Sequence, residues 1–321
     1  MSFFTPRLLR LASRLGGVLL LALLGAATVF FTMRAGSGDP AYAALGDLAT
    51  PEAVRAFRAH WGLNDPLALQ FWHWLTRAVT GDFGASMTIA ANVPISKLIA
   101  SRLPNTVFIG LYALTIAVVV SLVAGTVSVL RHGRLTDSIS TSLAVLGISM
   151  PDFWLSYVLI YALALGFKIF PSYGFTSPFD SVSGALYSGF LPAVAIAAPM
   201  AAAFTRILRT ALLETLHRDH VRVGRSFGYA ESFVFIHYVF RNALIPYVTV
   251  IGLQVRYLLG GTVVIERIFG IPGIGALLVD AAFGRDYPLV QACALTFLAG
   301  VLFVNFLVDL ICAALNPREV S

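Results

Sequence analysis

Long apolar runs recur along this chain, separated by shorter polar stretches that hold most of its charge. The first run extends from Gly16 to about Met33 and is followed by a long polar segment, Arg34 to about Pro104. Within that segment, aromatic amphipathic stretches such as Phe71, Trp72 and Trp74 read as lying along a surface, because Trp favours the boundary between membrane and water. The second run spans about Thr106 to Leu130 and ends in a basic turn with Arg131, His132 and Arg134. The third covers about Ile139 to Leu165, and Pro151 within it predicts a kink. A polar loop, Lys168 to Ser188, leads to a fourth run from about Phe190 to Leu208, rich in Ala and carrying Pro192 and Pro199. Small residues let helices approach closely in lipid, so this run is predicted at the centre of a bundle. A long polar stretch, Arg209 to Asn242, precedes the fifth run, about Leu244 to Val264; after a loop through Pro288, the sixth ends near Leu315. A helix crosses the hydrocarbon with about 20 apolar residues. The pattern therefore predicts an all-α membrane protein, a polytopic bundle of about six transmembrane helices.

Composition strengthens that reading. Of 321 residues, 58% are hydrophobic and 12% charged, with a mean hydropathy of +0.83. A soluble domain carries about 25% charge, roughly twice as much. The formal net charge of +6 forms no single basic stripe of the kind nucleic acid would need. Instead, the basic residues report topology. With the N-terminus inside, the cytoplasmic segments hold Arg7, Arg10, Arg14, Arg131, Arg134, Arg206, Arg209, Arg218, Arg222, Arg225, Arg241 and Arg318. The short outer loops hold only Lys168, Arg267 and Arg285. Both termini are expected in the cytoplasm, as an even number of spans requires. The first apolar run exceeds the roughly 7–15 residues of a signal-peptide core, so it reads as an uncleaved anchor. Cys293 and Cys312 form no CxxC pair and no metal-ligand spacing, and read as packing residues.

Chemistry is sparse. The chain has no GxxxxGK[ST] loop to cradle phosphates, no HExxH and no GxSxG. It is therefore expected to hydrolyse nothing and to bind no cofactor or metal. If ATP drives it, other chains carry the ATP and Mg. An ion-coupled carrier would show paired intramembrane carboxylates or an inverted repeat. Asp152 and Asp309 have no evident partner, which weakens the alternative of an ATP-independent secondary carrier or channel. A membrane-embedded enzyme would need a cluster facing a cavity. However, His132, His217, His220 and His237 lie near the cytoplasmic span ends, and His60 and His73 lie in the outer segment. Arg256 sits midway along the fifth run, after Gln254, where a charge is costly unless it faces protein or water. It could snorkel, pair with Asp309, or line a pathway and hold an anionic group.

The stretch from Arg209 to Pro246 is the most informative. Glu214, Asp219, His220, Arg222, Arg225, Arg241 and Asn242 alternate there with Leu213, Leu216, Val221, Phe227, Val234 and Phe235. That mix predicts short amphipathic helices bent at Gly224 and Gly228. Two readings stay open: a basic loop at lipid headgroups, or a docking helix through which a cytosolic motor pushes the bundle.

The run Asp219-His220-Val221-Arg222 through Gly228, followed by Arg241-Asn242-Ala243-Leu244-Ile245-Pro246, resembles the cytoplasmic coupling loop of ABC importer permeases, specifically those of the dipeptide/oligopeptide/nickel family. Further stretches are similar in family order. They include Gly38-Asp39-Pro40, Gly62-Leu63-Asn64-Asp65-Pro66-Leu67, Gly81-Asp82-Phe83-Gly84, Arg102-Leu103-Pro104 and Pro151-Asp152-Phe153-Trp154. Leu258-Leu259-Gly260-Gly261, Glu266, Pro272-Gly273-Ile274-Gly275, Asp286-Tyr287-Pro288 and Asn316-Pro317-Arg318 complete the series. The chain departs at Phe227, where a basic residue is usual, at Val223-Gly224, which stands for a more usual Thr-Ala, and at Arg256, where a small or apolar residue is usual.

The resemblance implies a type I ABC importer permease fold. Residues 1–98 would hold the first helix and an extracytoplasmic segment, 99–315 the permease domain with a coupling loop at about 209–243, and 316–321 a cytoplasmic tail. It assigns Asp219, Arg222, Gly224, Arg225, Gly228, Arg241, Asn242 and Pro246 to ATPase coupling, leaving Arg256, Gln254 and Asp309 as candidate pathway residues. It also implies a second homologous permease subunit, two ATP-binding-cassette ATPase subunits or domains, an extracytoplasmic substrate-binding protein, and residence in the bacterial cytoplasmic membrane. Relatives of this kind carry dipeptides, oligopeptides, glutathione, nickel complexes, opines or oligosaccharides. Peptide is the first expectation here.

Overall fold

The computed structural model describes residues 5–36 and 38–315, except for the side chains of 5–16, 18, 19, 36, 256, 257, 259, 309 and 311–315. Cys312 and the Asn316-Pro317-Arg318 motif fall outside what it describes. The order is α1 (Thr5–Gly36), α2 (Pro40–Leu45), α3 (Pro51–His60), α4 (Leu67–Val79), α5 (Ile95–Leu130), α6 (Leu135–Ser149) and α7 (Asp152–Leu159). Then follow α8 (Val182–Leu216), α9 (Asp219–Ser226), α10 (Glu231–Val234), α11 (Arg241–Phe269), α12 (Ile274–Phe283) and α13 (Tyr287–Leu315). Wider π-helical turns continue α7 over Ile160–Gly166 and join α10 to α11 over Phe235–Phe240.

Among the described residues, Ile95–Leu130, Val182–Leu216, Glu231–Val255 and Tyr287–Val308 are each long and apolar enough to cross a bilayer. Counting each bent pair of helices as one span raises that number to seven, which brackets the six expected. The third span differs from expectation. Pro151 does not merely kink a helix: α6 ends at Ser149, α7 starts at Asp152, and their axes meet at 108°. Proline disfavours the helical conformation in the residue before it, so Met150 takes an extended backbone and the helix ends there.

The chain forms two compact units: residues 1–104 with 272–302, and 105–271 with 303–321. In the first, Ile95, Ile99, Ile274, Leu277, Leu289 and Cys293 pack into one apolar core. The segment read as polar connection is itself helical. Thr50 caps α3 by accepting from the Ala53 amide at 3.2 Å, with Pro51 in the first turn, a favoured start signal. Beside α1, Phe30, Phe31, Phe71 and Trp74 form a ring cluster with centroids 5.1–6.0 Å apart. Asp286 is fully buried. One of its oxygens takes Ser86 Oγ at 2.5 Å and the amides of Thr88 and Ile89 at 3.0 and 3.2 Å. Its other oxygen caps α13 through the Leu289 amide at 3.3 Å. A single carboxylate thereby fixes both a loop and a helix start.

The second unit is built around α8. Of its apolar window 67% is buried, against 22–28% for the other three spans, so α8 is the central helix, as its small residues predicted. Ala193, Ala197, Ala201, Phe204, Leu208 and Leu212 form its inward stripe. Two polar links join the surrounding helices: Ser121 to Tyr247 at 2.6 Å and Thr106 to Glu266 at 2.7 Å, all four side chains buried. Gly252 lies where helices touch, since a Cβ there would sit 2.3 Å from the Val308 side chain.

Candidate functional site

The stretch from Arg209 to Pro246 folds differently from a loop. Its first eight residues belong to α8, which runs on to Leu216 rather than ending near Leu208. Leu208, Ala211, Leu212 and Thr215 continue the buried stripe at helical spacing, so packing sustains the helix into polar sequence. Arg209 is consequently a helix residue. Its guanidinium grips the Asp137 carboxylate with two bonds, Nε to Oδ1 at 2.8 Å and Nη2 to Oδ2 at 3.0 Å. His132 Nδ1 (2.9 Å) and the Gly133 amide (3.1 Å) also meet Asp137, and Ser128 Oγ donates to it. This cluster ties the end of α5 and the start of α6 to α8. Sequence reading had placed Arg209 in a loop and left Asp137 unremarked. The available signal was an acidic residue in the first turn of a helix, directly after a basic turn.

Beyond Leu216 the chain turns into α9. Val221 is fully buried and Gly224 is buried beside the Tyr238 ring, 3.6 Å from where a Cβ would stand. Their spacing of three puts both on one face, which joins the same apolar core as Leu212, Val234 and Val239. His220 Nε2 lies 3.4 Å from the Tyr238 carbonyl. Asp219, Arg222, Val223, Arg225, Ser226 and Phe227 are exposed on the other face. Asp219 and Arg222 meet only loosely, at 3.7 Å.

The expected bend at Gly224 is absent, because that residue lies inside α9 and serves packing. The bend occurs at Gly228 alone. Its φ is +76°, and nothing stands within 4 Å of a Cβ position. Glycine is needed there for backbone conformation rather than for space. Across this turn Arg225 forks onto Glu231 with bonds of 3.0 and 3.2 Å. Phe227, 72% exposed, starts an aromatic ridge that continues through Tyr229 (6.2 Å) to Phe233 (5.1 Å), which stacks on His237 at 4.1 Å.

Arg241 and Asn242 are exposed at the start of α11, and Asn242 Nδ2 donates to the Tyr238 carbonyl at 2.7 Å. Pro246, also exposed, lies one turn further along the same helix, where it offers no N–H to the carbonyl four residues back. Seven of the eight residues read as one docking element, Asp219 to Asn242, thus sit on α9, its following turn or the start of α11, with Pro246 a turn deeper. Of the pathway candidates, Gln254 is half-buried on α11. The side chains of Arg256 and Asp309 lie outside the described residues. Their neighbours Gly252 and Val308 are in contact.

The arrangement is a short helix with one buried face and one exposed face, following a helix, α8, that is tied to α5 and α6 through Arg209. The chain matches the model of the family described as "Binding-protein-dependent transport system inner membrane component" over residues 87–320. Residues 7–110 match the corresponding N-terminal family. A probable peptide ABC transporter permease protein, y4tP of Sinorhizobium fredii, is 34% identical over 290 residues, covering 90% of this chain and 92% of that protein. The glutathione transport system permease protein GsiC of Escherichia coli K12 is 36% identical over 289 residues, covering 90% and 91%. Among solved structures, the inward-facing MetNI methionine ABC transporter superposes with a TM-score of 0.55 at 16% identity, covering 68% of this chain and 96% of that one. An amino acid ABC transporter superposes with 0.53 at 15%, covering 68% and 94%.

Proposed function

The chain belongs to the family of binding-protein-dependent transport system inner membrane components and is a multi-pass permease subunit of an ABC importer; from that premise we propose that it forms half of a pathway for di- and oligopeptides and takes its drive from an ATPase docked on α9. Two ATP-binding-cassette subunits or domains bind ATP and Mg and hydrolyse the nucleotide. A second, homologous permease completes the pathway, and an extracytoplasmic substrate-binding protein delivers the solute. Both termini and α9 face the cytoplasm, a reading supported by the crowding of arginines in those segments.

The observation that carries the coupling role is the two-faced character of α9. Val221 and Gly224 root it in the apolar core, while Arg222, Val223 and Phe227 stand exposed with an aromatic ridge beside them. A force on that exposed face reaches α8 and α11 through packed side chains rather than through a slack loop. The lever needs only to be stiff and complementary, since the phosphate chemistry belongs to its partners. Gln254, Arg256 and Asp309 are assigned to the pathway wall. The peptide assignment draws on two relatives, one named for peptide and one for glutathione transport.

The test uses the importer reconstituted in vesicles with its ATPases and binding protein. Phe227→Glu places a charge at the centre of the exposed face without touching the buried one. Substrate-stimulated ATP hydrolysis is expected to fall at least tenfold, with the chain inserted in the membrane as before. Unchanged stimulation would show that the ATPase does not dock here.

A further inference from the structure

A helix that packs one face on the protein leaves the rest to water, lipid or a partner, and its residue types say which. At 3.6 residues per turn, α4 presents three arcs. Phe71, Trp74, Leu75 and Ala78 share the inward arc and are half-buried there. Phe71 and Trp74 join the rings of Phe30 and Phe31 on α1. His73 and Arg77 share a polar arc, and both line a cavity whose wall also includes Arg34, Trp74 and Gln291. The third arc, Ala68, Leu69, Trp72, Thr76 and Val79, is exposed along its whole length, with Trp72 at 61%. Phe71, Trp72 and Trp74 read alike in the sequence, but the fold separates them: two face α1 and Trp72 alone faces out.

Two observations identify what covers the third arc. The first is continuity. On α1, which carries the first apolar run, Leu20, Leu24 and Phe31 are exposed on one narrow face, the face such a span turns to lipid. Phe31 ends that stripe, and its ring lies 5.6 Å from that of Phe71, the neighbour of Trp72 on α4. The apolar surface therefore passes from α1 onto α4. The second is the state of the hydroxyls. Thr76 is the one polar side chain of the third arc, and its Oγ1 turns back to within 3.0 Å of the Trp72 and His73 carbonyls. Thr28 on α1 does the same, donating to the Leu24 carbonyl at 2.8 Å. A hydroxyl closed onto its own helix leaves the arc no free donor to offer a polar partner and suits an apolar surrounding. With 13 residues α4 is about 20 Å long, too short to cross the hydrocarbon. An apolar arc beside a polar one, on a helix of that length, fits the plane of the membrane interface.

We propose that α4 is an interfacial helix whose Leu69, Trp72 and Val79 face rests on lipid at the C-terminal end of α1, which is the outer leaflet when both chain termini are cytoplasmic. The Trp72 indole sits at the headgroup boundary, where its apolar body and polar N–H are both served. His73 and Arg77 stay on the wet side. Lipid then holds α4 from one side while Phe71 and the bond from Arg34 Nε to Gln70 Oε1, 3.0 Å, hold it from the other. The inference rests on the chain being a membrane-spanning permease and is independent of α9.

The experiment compares tryptophan fluorescence of the full-length chain and of Trp72→Phe in phosphatidylcholine nanodiscs; the emission lost in the variant is that of Trp72. Because Trp72 is exposed, the variant should melt as cooperatively as the parent. Lipid brominated near the headgroup end of its acyl chains is expected to quench the Trp72 emission at least twofold more than lipid brominated near the chain ends, and iodide in the water should not quench it. Quenching by iodide without quenching by lipid would place the face in water and overturn the proposal. Quenching by neither would mean that protein covers it, and strongest quenching from the chain ends would put α4 in the hydrocarbon; each of these overturns it too. A second variant, Trp72→Glu, should speed amide hydrogen exchange along α4 at least tenfold while leaving α8 unchanged. Exchange equal to the parent's would show that lipid does not hold the helix. Neither readout needs ATP, an ATPase or a binding protein, so failure here is distinct from failure of the α9 assignment.

Discussion

The α9 lever and the cavity beside Arg34 are both polar places in an apolar chain, yet they satisfy their polar groups in opposite ways. On α9 and its turn the charges are exposed or locally paired, as Arg225 is with Glu231, and water can serve every donor left over. At the cavity, Gln291 is buried and its amide nitrogen finds nothing in the protein to bond. An exposed polar group costs little, whereas an unmet buried one costs about 1–3 kcal/mol. The first region can therefore be read as a surface shaped for a partner. The second holds unspent hydrogen-bonding capacity in the interior.

Substitutions at three positions probe that contrast. The largest effect is expected at the root of the lever, where Asp137→Ala leaves Arg209 facing its partner's vacant position. Breaking a buried ion pair by removing one member costs about 3–5 kcal/mol. Because the Arg209 side chain keeps 26% exposure, the low end of that range applies. A lowered melting temperature in detergent should be accompanied by lost transport. If Asp137→Ala melted like the parent, the cluster would not be the anchor of α8, and the lever would lack a fixed root.

Next comes the turn. At φ +76° a side chain costs roughly 1–2 kcal/mol, with Asn better tolerated and β-branched residues worst. Gly228→Val should therefore impair stimulated ATP hydrolysis more than Gly228→Asn, in equally abundant protein. Equal activity of the two would mean that the conformation of the turn is not transmitted to the motor.

The smallest effect sharpens the comparison by reversing its sign. Gln291→Leu removes an unpartnered donor from the interior and should leave stability unchanged or raise it by about 1 kcal/mol. Thermal unfolding without ligand measures this. A marked loss of stability would mean that the carboxamide serves the fold of the unit.

The difference also explains what could be read in advance. The α9 region is contiguous: its residues lie within about one stretch of chain, and their alternation of charged and apolar types is itself the signal. Even so, details escaped. Gly224 looked like a bend and proved to be a packing position, because only the fold brings Tyr238 beside it. Arg209 looked like a loop residue, because its helix is sustained by burial of Leu212 and Thr215 rather than by local polarity. The cavity was not legible at all. Arg34 read as the start of a polar segment and Trp74 as an interfacial aromatic, and Gln291 went unremarked in the sixth apolar run.

By itself the sequence determined that the chain crosses the membrane repeatedly, that α8 lies at the centre and that the segment after it carries the exposed polar face. Those properties follow from composition and period, since each apolar run must meet lipid or protein and each small-residue run permits close approach. Only the tertiary structure decided the break at Pro151, the Asp137–Arg209 anchor and the cavity that Arg34, Trp74 and Gln291 line. Each depends on groups far apart in the chain, and their cost or benefit arises only once packing has removed them from water.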